Sequence, residues 1–136
     1  MSRRDRPQVV LVNRCFVKHP KKGLLLIKRS TQCGHNPGLW EVPGGKLDRG
    51  QVLLDAQERE VLEETGYLVR PVHQLVFADS YIISEGQYKG LPYIGLFSIT
   101  RIIGGELTLS SEHTEHAWAT YSGMLKYELV PQVRKA

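Results

Sequence analysis

Cysteine is scarce in this sequence, because Cys15 and Cys33 are the only two in 136 residues. They form neither a C-x-x-C pair nor any other spacing typical of metal ligands. A small protein stabilised by disulfide bonds needs more cysteines, so that class is excluded. We interpret both side chains as ordinary reduced thiols.

Long apolar runs are also missing. No run approaches the roughly 18 to 20 residues that a membrane span requires. The opening residues MSRRDRPQ contain no apolar segment of the signal-peptide type. A chain of this length with 41% hydrophobic residues can bury one core and is too short for two. We therefore expect a single domain over residues 8–136, a cytoplasmic location and no membrane partner.

The excess of positive charge is confined to the two ends of the chain. Residues 1–7 hold three arginines and one aspartate, and Arg134 and Lys135 stand near the other end, so these segments account for the formal charge of +4. The part between them is neutral overall. Short basic ends favour solubility more often than polymer binding. We predict a basic N-terminal tail over residues 1–7 and no nucleic acid polymer as partner.

The sequence does contain a succession of β-rich segments around one clear helix. Strands are predicted at Val9–Val17, Leu24–Ile27, Leu39–Val42, Tyr67–Ile83, Leu91–Ile103, Glu106–Leu109 and Ala117–Thr120. The first two form a hairpin across His19–Gly23. Residues Val52–Thr65 predict a helix, since they are good helix formers, and Gly66 follows as a C-terminal cap. With a short helix capped by Ser122, the pattern is typical of a mixed sheet of the α/β or α+β class.

Acidic residues are concentrated in the predicted helix, where they are accompanied by one arginine, Arg59. They are Asp55, Glu58, Glu60, Glu63 and Glu64. At about 100° per residue, the last three of them lie on one arc of the helix. A separate apolar stripe is formed by Leu54, Val61 and Thr65, with Leu62 at its edge. We expect the stripe to pack on the sheet and the three glutamates to face a cleft.

Like charges three and four residues apart destabilise a helix by roughly a few tenths of a kcal/mol per pair. One explanation is a divalent cation held by the three glutamates, since carboxylate oxygens are preferred magnesium ligands. The other is a solvated acidic face with Arg59 paired to Glu63. The preceding Pro43–Gly45 turn favours the first explanation, because glycine lets the backbone approach a metal closely. A backbone carbonyl in this turn can then act as a ligand.

The segment Gly45–Tyr67, GKLDRGQVLLDAQEREVLEETGY, resembles the box of the Nudix hydrolase family. The family pattern is G-x5-E-x7-R-E-U-x-E-E-x-G-U, with U apolar. The residues that match in register are Gly45, Arg59, Glu60, Val61, Glu63, Glu64 and Gly66, and Tyr67 loosely fills the last apolar position. The lead-in Gly38–Gly44 also looks like the family's approach to the box. The resemblance implies a Nudix-like α/β/α sandwich with a mixed β-sheet.

The same resemblance implies Mg²⁺-dependent hydrolysis of a diphosphate linkage in a nucleoside diphosphate joined to another group, with Mn²⁺ as a substitute cofactor. The implied metal ligands are Gly44, Glu60, Glu63, Glu64 and, from a segment shortly before Trp118, Glu112. The implied catalytic residues are Glu63, Glu60, Arg59 and Glu112. Glu63 and Glu112 are both candidates for the general base.

One position of the box departs from the family pattern, because Gln51 replaces its first glutamate. Glutamine keeps the hydrogen-bonding capacity but carries no charge, so an ion pair with Arg59 becomes a neutral hydrogen bond. In the family this glutamate mostly supports the site, whereas the later three hold the metal. A second hypothesis is therefore a nucleotide-binding or regulatory module with weakened catalysis.

Candidates for substrate contact lie outside the box. Lys28 and Arg29 end the second strand, where they can meet substrate phosphates, and His35 lies in a glycine-rich loop beside the expected site. Phe77 is a candidate for stacking on a base. The other aromatic residues considered for stacking are Trp40, Tyr81 and Trp118. We interpret the segment that holds His113 and His116 as a solvated loop and not as a metal site.

The substrate class is the least determined feature. Nucleoside triphosphates, cleaved to nucleoside monophosphate and diphosphate, are favoured, because the residues after the box do not show the placements typical of the ADP-ribose and dinucleoside-polyphosphate branches. Hydrolysis of ADP-ribose or of a nucleotide sugar stays an alternative. RNA binding is disfavoured by the neutral middle of the chain. A homodimer is left open, because edge strands cannot be ranked from sequence.

Overall fold

A computed structural model describes residues 8–136, so the predicted basic tail at residues 1–7 lies outside the described residues. The strands are β1 Val10–His19, β2 Gly23–Arg29, β3 Trp40–Glu41, β4 Gly44–Lys46, β5 Tyr67–Ile82, β6 Pro92–Gly105 and β7 His113–Ala119. The helices are α1 Leu53–Thr65 and α2 Pro131–Lys135, with a 3₁₀ turn at Ser122–Lys126. Over residues 8–136, neither helix is long and apolar enough to cross a membrane.

The seven strands form one mixed sheet, which confirms the predicted fold class. Its main path runs β3-β2-β1-β6-β5, while β4 pairs with β1 and β7 pairs with β2. Only the β1–β6 pair is parallel among the described strands. The predicted β1–β2 hairpin is confirmed, although its described pairing is limited to Lys18↔Leu24 and His19↔Gly23. Further along, β1 pairs with β4 instead, which carries the Gly44–Gly45 segment into the middle of the sheet.

Successive residues of β1 point to opposite faces of the sheet and enter two separate cores. Phe16 packs in a core with Leu26, Phe97 and Val133, which places α2 on that face. Cys15 and Val17 pack in a second core, which contains Val61 of α1. The sheet is therefore covered by a helix on each side.

The predicted helix is confirmed as α1, and Gly66 ends it in the left-handed conformation at φ 79°. A Cβ at Gly66 would lie 2.2 Å from the Glu106 carbonyl oxygen, so this position requires glycine. The expected division of the helix surface is only partly right. Leu62 is 45% exposed, whereas Gln57 and Glu64 are buried beside the apolar stripe. The helix thus presents one of its glutamates to the protein interior.

Two further expectations are wrong. The segment Glu106–Leu109 is not a strand, because its backbone closes the end of α1: Thr108 N–H donates to Thr65 O at 2.8 Å. The segment before Trp118 is not a solvated loop, because β7 begins at His113 and pairs with β2. This pairing buries His113.

Candidate active site

A cleft of about 610 Å³ is lined by residues of β1 and β4, by Glu64 near the end of α1 and by Gln132 of α2. Five residues predicted for the site line it: Arg29, His35, Gly44, Glu64 and Glu112. Its volume lies within the range of about 300 to 1,000 Å³ typical of small-molecule sites. The cleft therefore brings together residues from distant parts of the chain.

The two glycines of β4 form the wall of the cleft nearest to α1. The Gly44 N–H donates to Glu64 Oε1 at 3.1 Å. A Cβ at Gly44 would lie 2.1 Å from the Asn13 carbonyl oxygen, and one at Gly45 would lie 2.9 Å from Glu60 Cδ. Glycine at both positions lets β4 lie against β1 on one side and lets the glutamates of α1 approach it on the other.

The backbone pairing of β4 determines which carbonyl is free to bind a ligand. Cys15 N–H donates to Pro43 O at 2.7 Å and Leu47 N–H donates to Leu11 O at 2.8 Å. In an antiparallel ladder hydrogen-bonded and non-hydrogen-bonded positions alternate, so Gly44 and Lys46 point their N–H and C=O away from the partner strand. The Gly45 carbonyl, in contrast, accepts a 3.0 Å hydrogen bond from Asn13 Nδ2. The predicted ligand, the Gly44 carbonyl, therefore points away from β1.

Glu64 lies in an environment that disfavours a bare negative charge. Burial raises its pKa to about 9, and the nearby carboxylates of Glu41, Glu60 and Glu112 add to this effect against the hydrogen bond from Gly44. Burial also raises the pKa of Glu60, with Glu63 contributing. A hard cation among these oxygens would offset the repulsion. The donor set, carboxylate oxygens gathered beside β4, therefore fits a divalent metal ion.

Arg59 bridges two of the box glutamates from the outer side of α1. Its Nη2 lies 3.4 Å from Glu60 Oε1 and its Nε lies 3.5 Å from Glu63 Oε1. The Glu63 side chain is 60% exposed, so this second pair is solvated. A cation site and an Arg59–Glu63 ion pair, the two explanations given for the three clustered glutamates, are thus not exclusive. Arg59 pairs with Glu63, while Glu60 and Glu64 face β4.

Sequence reasoning missed a second charged cluster, which is centred on Glu41 of β3. Its carboxylate is buried and contacts Arg14 Nη1 at 3.1 Å, Arg29 Nη1 at 2.9 Å and His113 Nε2 at 2.8 Å. Burial alone would raise the pKa of Glu41, but the hydrogen bond with His113 and the charges of Arg14 and Arg29 lower it. An acidic residue inside a predicted buried strand was the available signal, because a buried charge requires partners.

The Glu41 cluster is adjacent to the box glutamates. His113 Nε2 lies 3.7 Å from Glu64 Oε2, so His113 stands between the two buried carboxylates. Ligand atoms of Glu41, Glu64 and His113 lie within 4.8 Å of one another, which is close enough to share a metal ion. The two guanidinium groups already on Glu41 oppose a cation there. We therefore interpret this cluster as a hydrogen-bonded support for Arg14, Arg29 and Glu64.

Other predicted residues lie elsewhere. Lys28 pairs with Glu115 at 3.3 Å on the exposed side of β2. Phe77 packs edge-on against Phe97 at 5.8 Å in the core and does not line the cleft. The expected Gln51–Arg59 hydrogen bond is not among those of the described residues, because Gln51 Oε1 accepts from the Asp48 N–H at 2.7 Å. Gln51 thereby holds the turn that precedes α1.

Comparison with known proteins places this chain in a family. The family model described as NUDIX domain matches residues 8–135. The chain is 27% identical over 116 residues to the nucleoside triphosphatase NudI of Escherichia fergusonii, and 82% of each protein is covered. It is 27% identical over 107 residues to the 8-oxo-dGDP phosphatase NUDT18 of Mus musculus, which covers 76% of this chain and 29% of that protein.

A solved structure gives the same result for the fold. The MutT protein of Methanosarcina mazei superposes with a TM-score of 0.76 at 26% identity, covering 96% of this chain and 90% of that one. The family match spans almost all of the residues that the structure describes, and the box lies at the cleft. This protein therefore belongs to the Nudix family and is a hydrolase of the pyrophosphatase type.

Proposed function

We propose that the protein hydrolyses a diphosphate linkage of a nucleoside triphosphate, releasing nucleoside monophosphate and diphosphate, with Mg²⁺ as its cofactor and Mn²⁺ as a substitute. The observation that carries the proposal is the approach of Glu64 and Glu60 of α1 to Gly44 and Gly45 at one end of the cleft. This arrangement gathers oxygen donors beside a space large enough for a nucleotide.

The residues that would hold the metal are the Gly44 carbonyl, Glu60, Glu63, Glu64 and Glu112. When bound, the metal neutralises charge on the diphosphate and makes an attacking water more acidic. Arg59 keeps Glu60 and Glu63 in place through its two contacts at 3.4 and 3.5 Å. Glu63 or Glu112 accepts the proton of the water. Glu112 lines the cleft, whereas Glu63 does not line it and has a side chain that is 60% exposed.

The cleft has a charged end and an aromatic end, which suggests how the substrate lies. Arg29 pairs with Glu41 at the charged end and supplies positive charge for phosphates. Tyr81 and Tyr93 line the other end and offer apolar surface for a base. The name of the relative NudI, nucleoside triphosphatase, supports a triphosphate as substrate. ADP-ribose and nucleotide sugars are the alternatives.

The second hypothesis, a module with weakened catalysis, rests on Gln51. Among residues 8–136, its side chain makes one hydrogen bond, which accepts the Asp48 N–H and which a glutamate oxygen would make equally well. The glutamine therefore keeps the turn before α1 intact, and we favour an active enzyme. Restoring the acid with Gln51→Glu discriminates between the hypotheses. A change in turnover of less than about threefold supports the active enzyme, whereas a rise of 10²-fold or more supports the module.

The test of the proposed function is a substrate panel with Mg²⁺. Nucleoside triphosphates, ADP-ribose, nucleotide sugars and dinucleoside polyphosphates are incubated with the protein, and the products are separated. We expect nucleoside monophosphate and diphosphate from a triphosphate. Glu64→Gln should lower turnover by about 10²-fold or more, because it removes a charged metal ligand.

Glu58→Gln is the matched control for Glu64→Gln. Glu58 lies on the same helix, but its partner is Arg70 at 3.8 Å, away from the cleft. This variant should keep normal turnover. Absence of hydrolysis across the whole panel, or full activity in both Glu63→Gln and Glu64→Gln, would contradict the proposal.

A further inference from the structure

Three side chains at the aromatic end of the cleft each contain a buried polar atom without a hydrogen-bond partner among the described residues. These atoms are Arg14 Nε on β1, Tyr93 Oη on β6 and Gln132 Oε1 on α2. Elsewhere in residues 8–136, the same is true only of atoms of Gln57 and Thr100. Buried polar groups nearly always have partners, so three such atoms around one cleft indicate a ligand that supplies them.

Arg14 is a charged residue on a strand face that is otherwise apolar, and its position is explained if it contacts a ligand in the cleft. The residues of β1 that share its face are Val10, Val12 and Phe16, which are apolar, as expected of a strand in a core. Its Nη1 is held by Glu41, which also pairs with Arg29. Two cations thus share one carboxylate. The Arg14 side chain is 15% exposed, so the cleft reaches it, and its remaining N–H groups need acceptors.

Tyr93 is fixed beside Arg14 by its neighbours. Its ring stacks on Tyr81 with centroids 4.6 Å apart and an angle of 19°. A Cβ at Gly95 would lie 3.0 Å from the Tyr93 hydroxyl oxygen, so the ring lies over a glycine that leaves room for it. Burial raises the pKa of Tyr93, and the charge of the Arg14 guanidinium together with its contact with the hydroxyl opposes this rise. No hydrogen bond of good geometry joins them, and the hydroxyl is left without a partner.

Gln132 supplies an acceptor on the opposite wall. Its Nε2 donates to Tyr81 Oη at 3.1 Å, which orients the amide and leaves Oε1 without a donor. The residue is half-buried at the start of α2 and lines the cleft. This end of the cleft therefore offers hydrogen-bond donors from Arg14 and Tyr93 and an acceptor from Gln132.

A carbonyl next to a ring N–H complements this set, because the oxygen accepts from Arg14 and Tyr93 while the N–H donates to Gln132. Guanine, hypoxanthine, uracil and thymine have such an edge. Adenine and cytosine instead present an amino group at this edge. Its N–H groups would face the hydrogen-bond donors of Arg14 and Tyr93. We propose that Arg14, Tyr93 and Gln132 are specificity-determining residues that select nucleotides whose base carries a carbonyl beside a ring N–H. This inference rests on the proposed nucleotide substrate.

Two matched substrate pairs test the selection, because each pair differs only in this edge. Inosine triphosphate is compared with ATP, and UTP is compared with CTP, at saturating Mg²⁺. We expect kcat/KM to favour the carbonyl member of each pair by about tenfold or more, since a site built for hydrogen bonds rejects an analogue that leaves them unpaired. Equal kcat/KM within both pairs would overturn the inference.

Two variants assign the selection to these residues. Tyr93→Phe removes only the hydroxyl and keeps the ring that stacks on Tyr81, so it should fold normally. We expect it to reduce the preference within each pair by about threefold or more, mainly through KM of the carbonyl member. Arg14→Met should reduce the preference further. If Arg14 instead binds phosphate, Arg14→Met lowers kcat/KM equally for all four nucleotides, and that result would overturn its role in base selection.

A binding measurement separates failure of this inference from failure of the proposed function. Calorimetric titration with inosine, adenosine, uridine and cytidine monophosphates requires no turnover. Tighter binding of the inosine and uridine compounds, weakened by Tyr93→Phe, supports the selection even if no triphosphate is hydrolysed. Absence of hydrolysis would then contradict only the proposed reaction. Equal binding of all four compounds would overturn the base selection even in an active enzyme.

Discussion

At the scale of single residues, Glu41 is the buried charge that holds the two arginines of the cleft in place. It holds Arg14, Arg29 and His113, which come from three different strands. Removing one partner of a buried ion pair leaves the others uncompensated, which costs more than the pair itself stabilises. The pairing thus constrains the positions of both arginines.

Gln57 is a buried residue of α1 whose two amide atoms lack partners among the described residues. Replacing such a group by an apolar one of similar shape removes its desolvation cost. We expect Gln57→Met to raise the free energy of unfolding by about 1 kcal/mol, measured by urea denaturation. The exposed Gln74 serves as control, because Gln74→Met should change stability by less than about 0.5 kcal/mol. A clear loss of stability in Gln57→Met would show that the amide has a partner.

The two cysteines should differ in reactivity. Burial raises the pKa of the Cys15 thiol to about 12, with a hydrogen bond from Ser98 opposing and the charges of Glu64 and Glu60 adding. Cys15 therefore stays protonated and inert at pH 8, whereas Cys33 is only half-buried. We expect one thiol to react with a disulfide reagent in the folded protein and two after unfolding. Cys33→Ser should abolish the fast reaction; a persistent fast phase would contradict the burial of Cys15.

At the scale of elements, the contact between β4 and α1 depends on the absence of side chains at two positions. Sequence reasoning expected a sharp turn at Pro43–Gly45, but Gly44–Lys46 forms a strand. Glycine was the right signal for close approach, yet what approaches is the β1 backbone and the Glu60 carboxylate. Propensities alone disfavour glycine in strands, so this strand could not be predicted without its partners.

Gly45→Ala tests this contact. The added Cβ would lie about 3 Å from the Glu60 carboxylate, which can move because it ends a flexible side chain. The fold should survive, while displacement of Glu60 by about 1 Å lowers kcat by roughly 10²-fold. Gly104→Ala is the control, since its Cβ would meet only Leu68 at 3.6 Å. Undiminished turnover in Gly45→Ala would place Glu60 outside the catalytic arrangement.

At the scale of the whole molecule, the features that the sequence predicted are those that depend on near neighbours in the chain. The box and α1 were identified because their residues lie within one segment, and Gly66 marked the end of the helix. The Glu41–His113 hydrogen bond joins residues 72 apart, and no local pattern indicates it. Arg14 and Tyr93 likewise meet only because β1 and β6 pair in parallel. These parts of the cleft therefore depend on the strand topology and not on local sequence.

Binding of Mg²⁺ should stabilise the whole fold, because it offsets repulsion among Glu60, Glu63 and Glu64. A ligand at about 100 times its Kd adds about 2.7 kcal/mol to the free energy of unfolding. We expect the unfolding temperature to rise with Mg²⁺ and to fall again with a chelator, together with loss of hydrolysis. Glu64→Gln should show a much smaller rise. An equal rise in this variant would place the metal elsewhere.

The position of β1 also affects how the protein emerges from the ribosome. This strand is made before its parallel partner β6, which ends only at Gly105. At about 5 to 20 residues per second, synthesis leaves one edge of β1 unpaired for several seconds or more. During that time an apolar strand is available to chaperones and to other nascent chains. Completion of the sheet, and with it the cleft, therefore has to wait until β6 has been made.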